Sequence, residues 1–264
     1  METRLDDVTL RWERAGERGS FVVLTHGLGG SLDYWAPHVD ALAKHHRVLR
    51  WDLRGAGGSS RPPGPYDVGL FARDLAALLD RLGEPRAHLV GHSGGGVVSQ
   101  RFALDFPERT ASLVLASTSS EVSARARAGW HRLADAIERS GFGDGRAPDA
   151  RGFAPAFAAA HPDVVAGLTR ATRANDPAAY AATARAFGGY GWTADLPRIA
   201  APTLVLQGLD DQLTPPGGSV ILARGIPRAR LVMLPGVGHN LPLEVPALFT
   251  AAVVAFLAGV ELAG

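Results

Sequence analysis

Residues 87–95 read Ala87-His88-Leu89-Val90-Gly91-His92-Ser93-Gly94-Gly95. Ala87 to Val90 predicts a buried strand, and the residues after Gly95 carry a helical pattern to about Asp105, closed by Phe106-Pro107. A serine in G-x-S-x-G, with strand before it and helix after it, has the sequence of a nucleophile elbow. The flanking glycines let the backbone turn tightly, and the helix that follows aims its N-terminal N–H groups at the serine, where they favour a developing negative charge. In a chain with 32 glycines the same letters could also be a plain strand-to-helix turn, so residues elsewhere must decide.

Outward from this turn, short apolar runs alternate with longer helical patterns. Phe21-Val22-Val23-Leu24 predicts a strand buried on both faces, ending in His26-Gly27-Leu28-Gly29-Gly30. Val8–Trp12, His46–Trp51, Leu113–Leu115, Thr203–Leu206 and Arg230–Leu234 predict further strands. Asp67–Leu82 predicts an amphipathic helix, with Leu70, Phe71, Leu75, Leu78 and Leu79 at helical period and Gly83 at the C-cap position. A closing helix is expected over Val245–Leu257. The alternation predicts βαβ units and a mainly parallel central sheet flanked by helices. Between Ser117 and Trp192 the chain becomes rich in Ala and Arg, helical in pattern and poor in β-branched runs, with spaced aromatics that need a surface to pack on. The expected organisation is therefore a core domain of residues 1–116 and 193–264 and a helical insertion of residues 117–192.

A serine hydroxyl is a weak nucleophile until a base takes its proton. In an elbow of this kind the acid and then the histidine follow the serine in the chain. Only His161 and His239 lie late enough. His161 falls in the insertion beside Pro162 and reads as a surface residue, whereas His239 ends Pro235-Gly236-Val237-Gly238-His239, a glycine-rich loop directly after a strand. The acid that orients the histidine belongs after the preceding strand, in Gly208-Leu209-Asp210-Asp211, which leaves Asp210 and Asp211 as candidates; Glu121, after the Leu113–Leu115 strand, is a third. An oxyanion hole needs two backbone donors. One is expected at Gly94, next to the nucleophile, and the other in the loop after the Phe21 strand, at Leu28. Trp35, Trp130, Phe153 and Phe157 are candidates to line a substrate pocket, with core packing as the competing role, and Arg151, Arg170 and Arg173 could face an anionic substrate.

Composition narrows the remaining classes. A formal net charge of +1 gives no global attraction to nucleic acid or an anionic membrane. The absence of cysteine excludes a thiol nucleophile, a disulfide framework and thiolate metal sites. No apolar run approaches the ~20 residues of a membrane span, and residues 1–20 lack an apolar leader core, so a cytoplasmic protein is expected. Gly27-Leu28-Gly29-Gly30 does not complete a dinucleotide-binding G-x-G-x-x-G, because Leu occupies position 32. His45-His46, with His38 nearby, has no surrounding set at ligand spacing and reads as solvated loop. Asp52 and Arg54 are expected to brace their loop. Neither a metal nor a cofactor is expected, and the partner is a small molecule.

Together, His26-Gly27-Leu28-Gly29-Gly30, Asp52-Leu53-Arg54-Gly55, Gly91-His92-Ser93-Gly94-Gly95, Gly208-Leu209-Asp210-Asp211 and Gly238-His239 resemble the α/β-hydrolase superfamily over essentially the whole chain. Within it the layout is most similar to the 3-oxoadipate enol-lactonase and small-carboxylesterase branch, although Gly94 stands where that branch commonly has Met. The resemblance implies Asp211 as the acid and Leu28 as the second oxyanion donor. It also implies a cofactor-independent serine hydrolase acting on an ester or lactone through an acyl-enzyme. C–C bond hydrolysis of β-diketone-like substrates by the same three residues, and a non-enzymatic ligand receptor on the same fold, are the alternatives.

Overall fold

A computed structural model of the chain describes residues 1–143 and 150–263. Its centre is an eight-stranded sheet. In chain order the strands are β1 (Glu2–Arg4), β2 (Thr9–Ala15), β3 (Phe21–Thr25), β4 (Arg47–Trp51), β5 (Ala87–His92), β6 (Thr110–Ala116), β7 (Thr203–Gly208) and β8 (Ala229–Leu234). Their spatial order is β1-β2-β4-β3-β5-β6-β7-β8. The two pairings at the β1 edge are antiparallel and all others parallel. β1, a short charged segment held to β2 by the Thr3↔Leu10 register, has no apolar signal and is not expected from the sequence.

The helices are α1 (Ala36–Ala43), α2 (Val68–Leu82), α3 (Gly94–Asp105), α4 (Ala124–Ser140), α5 (Pro155–Ala160), α6 (Pro162–Arg173), α7 (Pro177–Phe187), α8 (Gly217–Gly225), α9 (Leu241–Glu244) and α10 (Pro246–Ala263). Asp67 caps α2 by accepting the Leu70 N–H at 2.7 Å, and Gly83 ends it at φ 71°, the left-handed C-cap that glycine adopts without strain. α10 runs six residues past the expected Leu257 end.

Alternation along the strands sorts the core into two layers. Val23, Leu49, Leu89, Leu113 and Val205 face one side and pack on Phe71, Leu75, Val98 and Phe102 of α2 and α3. Val22, Leu24, Val48, Val90 and Val114 face the other and pack on Leu42 of α1 and Phe249, Val253 and Leu257 of α10. The central strands are thus buried on both faces, which is why they read as continuous apolar runs. Each fully buried Leu, Val or Phe contributes roughly 1.5–3 kcal/mol by leaving water.

The chain leaves the sheet after β6 and returns before β7 along one neck, where Glu121 bridges to Gly191 and Trp192 N–H donates to the Ser120 carbonyl at 3.0 Å. Between these points every described element is helical, with Ala134 and Ile137 of α4 packed on Tyr180, Ala181 and Ala184 of α7. Among the described residues no helix is long and apolar enough to cross a membrane.

Of the three histidines expected to be solvated, His45 is exposed and two are not. His38 and His46 are buried, not solvated: His38 lies against Trp35 and Phe249 and shares a 2.7 Å hydrogen bond with Thr250 Oγ1, and His46 Nδ1 lies 3.0 Å from Ser20 Oγ. Asp52 accepts the Leu32 and Gly58 N–H groups, and Arg54 is buried between Asp74 and Asp7, so both brace the loop as expected.

Candidate active site

Ser93 sits between β5 and α3 at φ 54° and ψ −119°, a conformation that costs an L-residue about 1–3 kcal/mol and persists only where its surroundings impose it. Three contacts do so. Ser93 N–H donates to the Ala116 carbonyl at 2.8 Å, while the Ser93 carbonyl accepts from Thr118 Oγ1 at 2.9 Å and from Gly96 N–H at 2.9 Å. The motif glycines let α3 lie directly on the sheet: a Cβ on Gly95 would fall onto the Thr25 carbonyl, and one on Gly91 onto the Gly95 carbonyl.

Asp211, directly after the β7 turn, is buried, and its carboxylate meets four donors. Oδ1 accepts the Leu213 and Thr214 N–H groups, each at 2.8 Å, while Oδ2 accepts Gln207 Nε2 at 3.1 Å and His239 Nδ1 at 2.9 Å. Burial alone would raise the Asp211 pKa; the His239 contact and the backbone donors outweigh it and hold the carboxyl below its ordinary value of 3.8. The ionised partner fixes the proton of His239 on Nδ1 and leaves Nε2 as the free, basic nitrogen. Asp210 is exposed, and Glu121 instead accepts Thr193 Oγ1 at 2.8 Å. The structure thus brings Asp211, rather than either alternative, to the histidine. Among the described residues Ser93 Oγ makes no hydrogen bond to His239; the two side chains line the same cavity.

The loop carrying His239 is clasped from three sides by groups that sequence reasoning did not single out. From the core, His92 Nε2–H donates to the His239 carbonyl at 2.8 Å, its ring stacked on Tyr34 at 5.0 Å and 16°. Burial and the neighbouring His239 push the His92 pKa down to about 3, so the ring is neutral. From the C-terminal side, Glu244 Oε2 accepts Gly238 N–H at 2.8 Å and Ala154 N–H at 3.0 Å. From the helical segment, the Gly152 carbonyl accepts both the Asn240 N–H at 3.0 Å and Asn240 Nδ2 at 2.8 Å, while Tyr34 OH donates to Asn240 Oδ1 at 3.2 Å. His92 was visible inside the elbow motif. Glu244 and Asn240 gave no signal beyond a polar side chain next to an apolar helix.

Leu28 follows β3, and a Cβ on the neighbouring Gly27 would sit 3.0 Å from the Ser93 Cβ, so this loop lies against the elbow. Among the described residues neither Leu28 N–H nor Gly94 N–H donates to a protein acceptor. His26 steadies the loop: its Nδ1–H donates to the Gly27 carbonyl at 2.7 Å and its Nε2 accepts Leu53 N–H at 3.2 Å.

Two cavities meet at Ser93. One of about 360 Å³ is lined by Ser93, His239, Tyr34, Leu133, Leu168 and Arg151, among others. The other, of about 310 Å³, is lined by Ser93, Gly94, Val97, Ala126, Phe187 and Glu121, among others. Trp130 lines both. The other aromatic candidates do not line either cavity: Trp35 is packed in the core beside His38 and Phe249, and Phe153, also buried, stacks on Phe157 at 5.6 Å. Periodicity reports that an aromatic is buried, and a packed core and a pocket wall look alike in that respect.

A mainly parallel sheet flanked by helices, with a serine elbow after a central strand and an Asp–His pair on the loops beyond it, defines a class. The chain belongs to the α/β-hydrolase fold family, which matches residues 21–246. A protein of Variovorax paradoxus named as a candidate carbamate hydrolase, RutD, is 38% identical over 256 residues, covering 93% of this chain and 94% of that one. The enol-lactonase from Burkholderia xenovorans LB400 is similar in structure with a TM-score of 0.86 at 31% identity, covering 98% of this chain and 100% of that one. A thermophilic esterase from Thermogutta terrifontis is similar with a TM-score of 0.89 at 32% identity, covering 96% and 94%.

Proposed function

We propose that this protein is a serine hydrolase that cleaves a carboxylic ester or lactone, with Ser93 as nucleophile, His239 as base and Asp211 as the acid that orients it. The observation that carries this reading is the 2.9 Å His239–Asp211 pair set beside a serine at positive φ. Ser93 Oγ attacks the carbonyl carbon while His239 Nε2 takes its proton. Leu28 and Gly94 N–H groups receive the oxyanion, each donor supplying about 3–4 kcal/mol to the transition state. The intermediate collapses as the leaving oxygen takes the proton from His239, giving an acyl-enzyme and a free alcohol or, from a lactone, an acyl-enzyme whose own chain carries the new hydroxyl. Water, deprotonated by His239, then releases the acid and restores Ser93. Proton and acyl group are carried throughout by the chain's own residues, so the reaction as written requires neither cofactor nor metal. We further propose that the described residues of 117–192 form a cap over those of 1–116 and 193–264, since Trp130, Leu168 and Tyr180 supply walls of the His239 cavity; residues 144–149 of the expected insertion lie outside the described residues.

Family membership and the enol-lactonase and esterase neighbours support hydrolysis; the likeness to a protein named as a carbamate hydrolase adds that linkage to the test. Initial rates are measured on p-nitrophenyl esters of rising chain length, small lactones including an enol-lactone, a carbamate and a vinylogous diketone, each with Ser93→Ala as control. Turnover of esters or lactones that falls at least about a thousandfold in Ser93→Ala is the expected result. Activity confined to the carbamate or the diketone would move the scissile bond, and undiminished turnover in Ser93→Ala would remove the serine mechanism.

A further inference from the structure

The two cavities that meet at Ser93 are not equivalent, and the difference lies in the base. His239 lines the cavity of about 360 Å³ and is absent from the lining of the cavity of about 310 Å³, whereas Gly94 lines only the latter. Resting on the Ser93–His239 reading above, we propose that the two cavities divide an open-chain ester between them, the alkoxy half in the arm lined by His239, Leu133 and Leu168 and the acyl half in the arm lined by Val97, Ala126 and Phe187.

The reasoning follows from the tetrahedral intermediate. Its carbon carries Ser93 Oγ, an oxyanion, the acyl chain and the alkoxy oxygen. The oxyanion is directed toward the Leu28 and Gly94 N–H groups. The alkoxy oxygen leaves only by taking the proton that His239 Nε2 holds, so it must lie within hydrogen-bond reach of that nitrogen. The alkoxy group is therefore in the arm that His239 lines. With these positions filled, the acyl chain is left to the arm that His239 does not line, against Val97 and Phe187.

The walls give each half a chemistry. The alkoxy arm is bounded by Tyr34, Leu133, Leu168 and Tyr180, with Arg151, Thr172 and Asn240 as polar members of its lining, a surface for a mainly apolar or aromatic alcohol. The acyl arm has an apolar floor at Val97 and Phe187 and an acid, Glu121, in its lining, which suits an uncharged acyl group and disfavours one ending in carboxylate. The substrate class is thus an ester of a neutral, medium-sized acid with an apolar alcohol.

The arms can be probed separately, because Ala126, on an exposed face of α4, borders only the acyl arm and Leu168 of α6 only the alkoxy arm. kcat/KM is measured along two ester series, one lengthening the acyl chain at constant alcohol and one lengthening the alcohol at constant acyl chain. Ala126→Leu is expected to lower kcat/KM for long-acyl relative to short-acyl esters at least tenfold and to leave the alcohol series within about twofold. Leu168→Trp is expected to do the reverse. Ile221→Ala and Leu133→Ala, which widen the acyl and alkoxy arms respectively, should extend the tolerated length in the same series that the bulky variants restrict. Either bulky variant acting on the other series, or both acting equally on both, overturns the assignment. Ser93→Ala is run throughout: loss of all turnover with crossed specificity shows that the arms are wrong and the serine right, whereas retained turnover removes both.

Discussion

His92 is adjacent to Ser93 in sequence, yet its hydrogen bond reaches the His239 carbonyl, 147 positions away. Its ring borders the cavity of about 360 Å³, but its Nε2–H is taken by that carbonyl, so its part is to position the backbone that carries His239, the proposed base. Replacing it with Phe keeps the ring against Tyr34 and leaves a buried carbonyl without a donor, at a cost of about 1–3 kcal/mol. His92→Phe is expected to stay folded and to lose kcat by ten- to a hundredfold with KM within about threefold. Steady-state kinetics beside a thermal melt would check this; a rise in KM at constant kcat would contradict it. The two aspartates make a second test at this scale. Asp211 meets four donors and Asp210 is exposed, so Asp211→Asn should cost roughly a thousandfold in kcat and Asp210→Asn less than about threefold. The reverse order would move the acid by one residue. Sequence alone could not separate these neighbours, because the choice depends on which side chain the turn after β7 directs inward.

At the scale of elements, the fit of α3 onto the sheet depends on glycine at Gly95, where no Cβ can be placed without displacing the Thr25 carbonyl. Gly95→Ala is expected to cost about 1–3 kcal/mol or more in a denaturant titration, from overpacking against backbone that cannot move aside. An unchanged midpoint would show that α3 can shift without penalty. The elements legible in the sequence are those whose signal is local. β5 and β7 are buried on both faces and read as unbroken apolar runs, and α2 announces both its ends through Asp67 and Gly83. β1 is set by pairing with β2, a non-local contact, and its Glu-Thr-Arg composition carries no trace of it. The clasp on the His239 loop was invisible for a related reason: Gly152 and Ala154 contribute backbone atoms, which every residue possesses.

Across the whole molecule, buried neutral histidines lower stability as the pH falls, opposed by Asp74 and Glu244, whose carboxyl pKa values burial raises. Burial pushes His38 and His88 down to about 4, and burial with the neighbouring His239 pushes His92 down to about 3, from an ordinary value of 6.5. Each takes up a proton more readily once the chain unfolds. Its contribution is therefore intact above about pH 6.5 and is lost as the pH falls toward 4, by up to about 1.4 kcal/mol per pH unit for each group. The depressed pKa of Asp211 acts only at lower pH, below its ordinary 3.8. The thermal unfolding temperature should fall steadily between pH 7 and pH 5, and a flat profile over that range would mean that these rings accept protons in the folded state. The sequence reads His38 and His46 as solvated, since residue type alone does not report which side of α1 faces α10 or that the turn before β4 tucks His46 inward. The clasp also governs how this chain can be recombined with its relatives. A chimera that imports a foreign helical segment must import residues 152–154 in register with Gly238, Asn240 and Glu244, or the loop that carries His239 will belong to one parent and its clasp to the other. Crossover points placed before residue 150 and after residue 244 keep that bargain within a single parent.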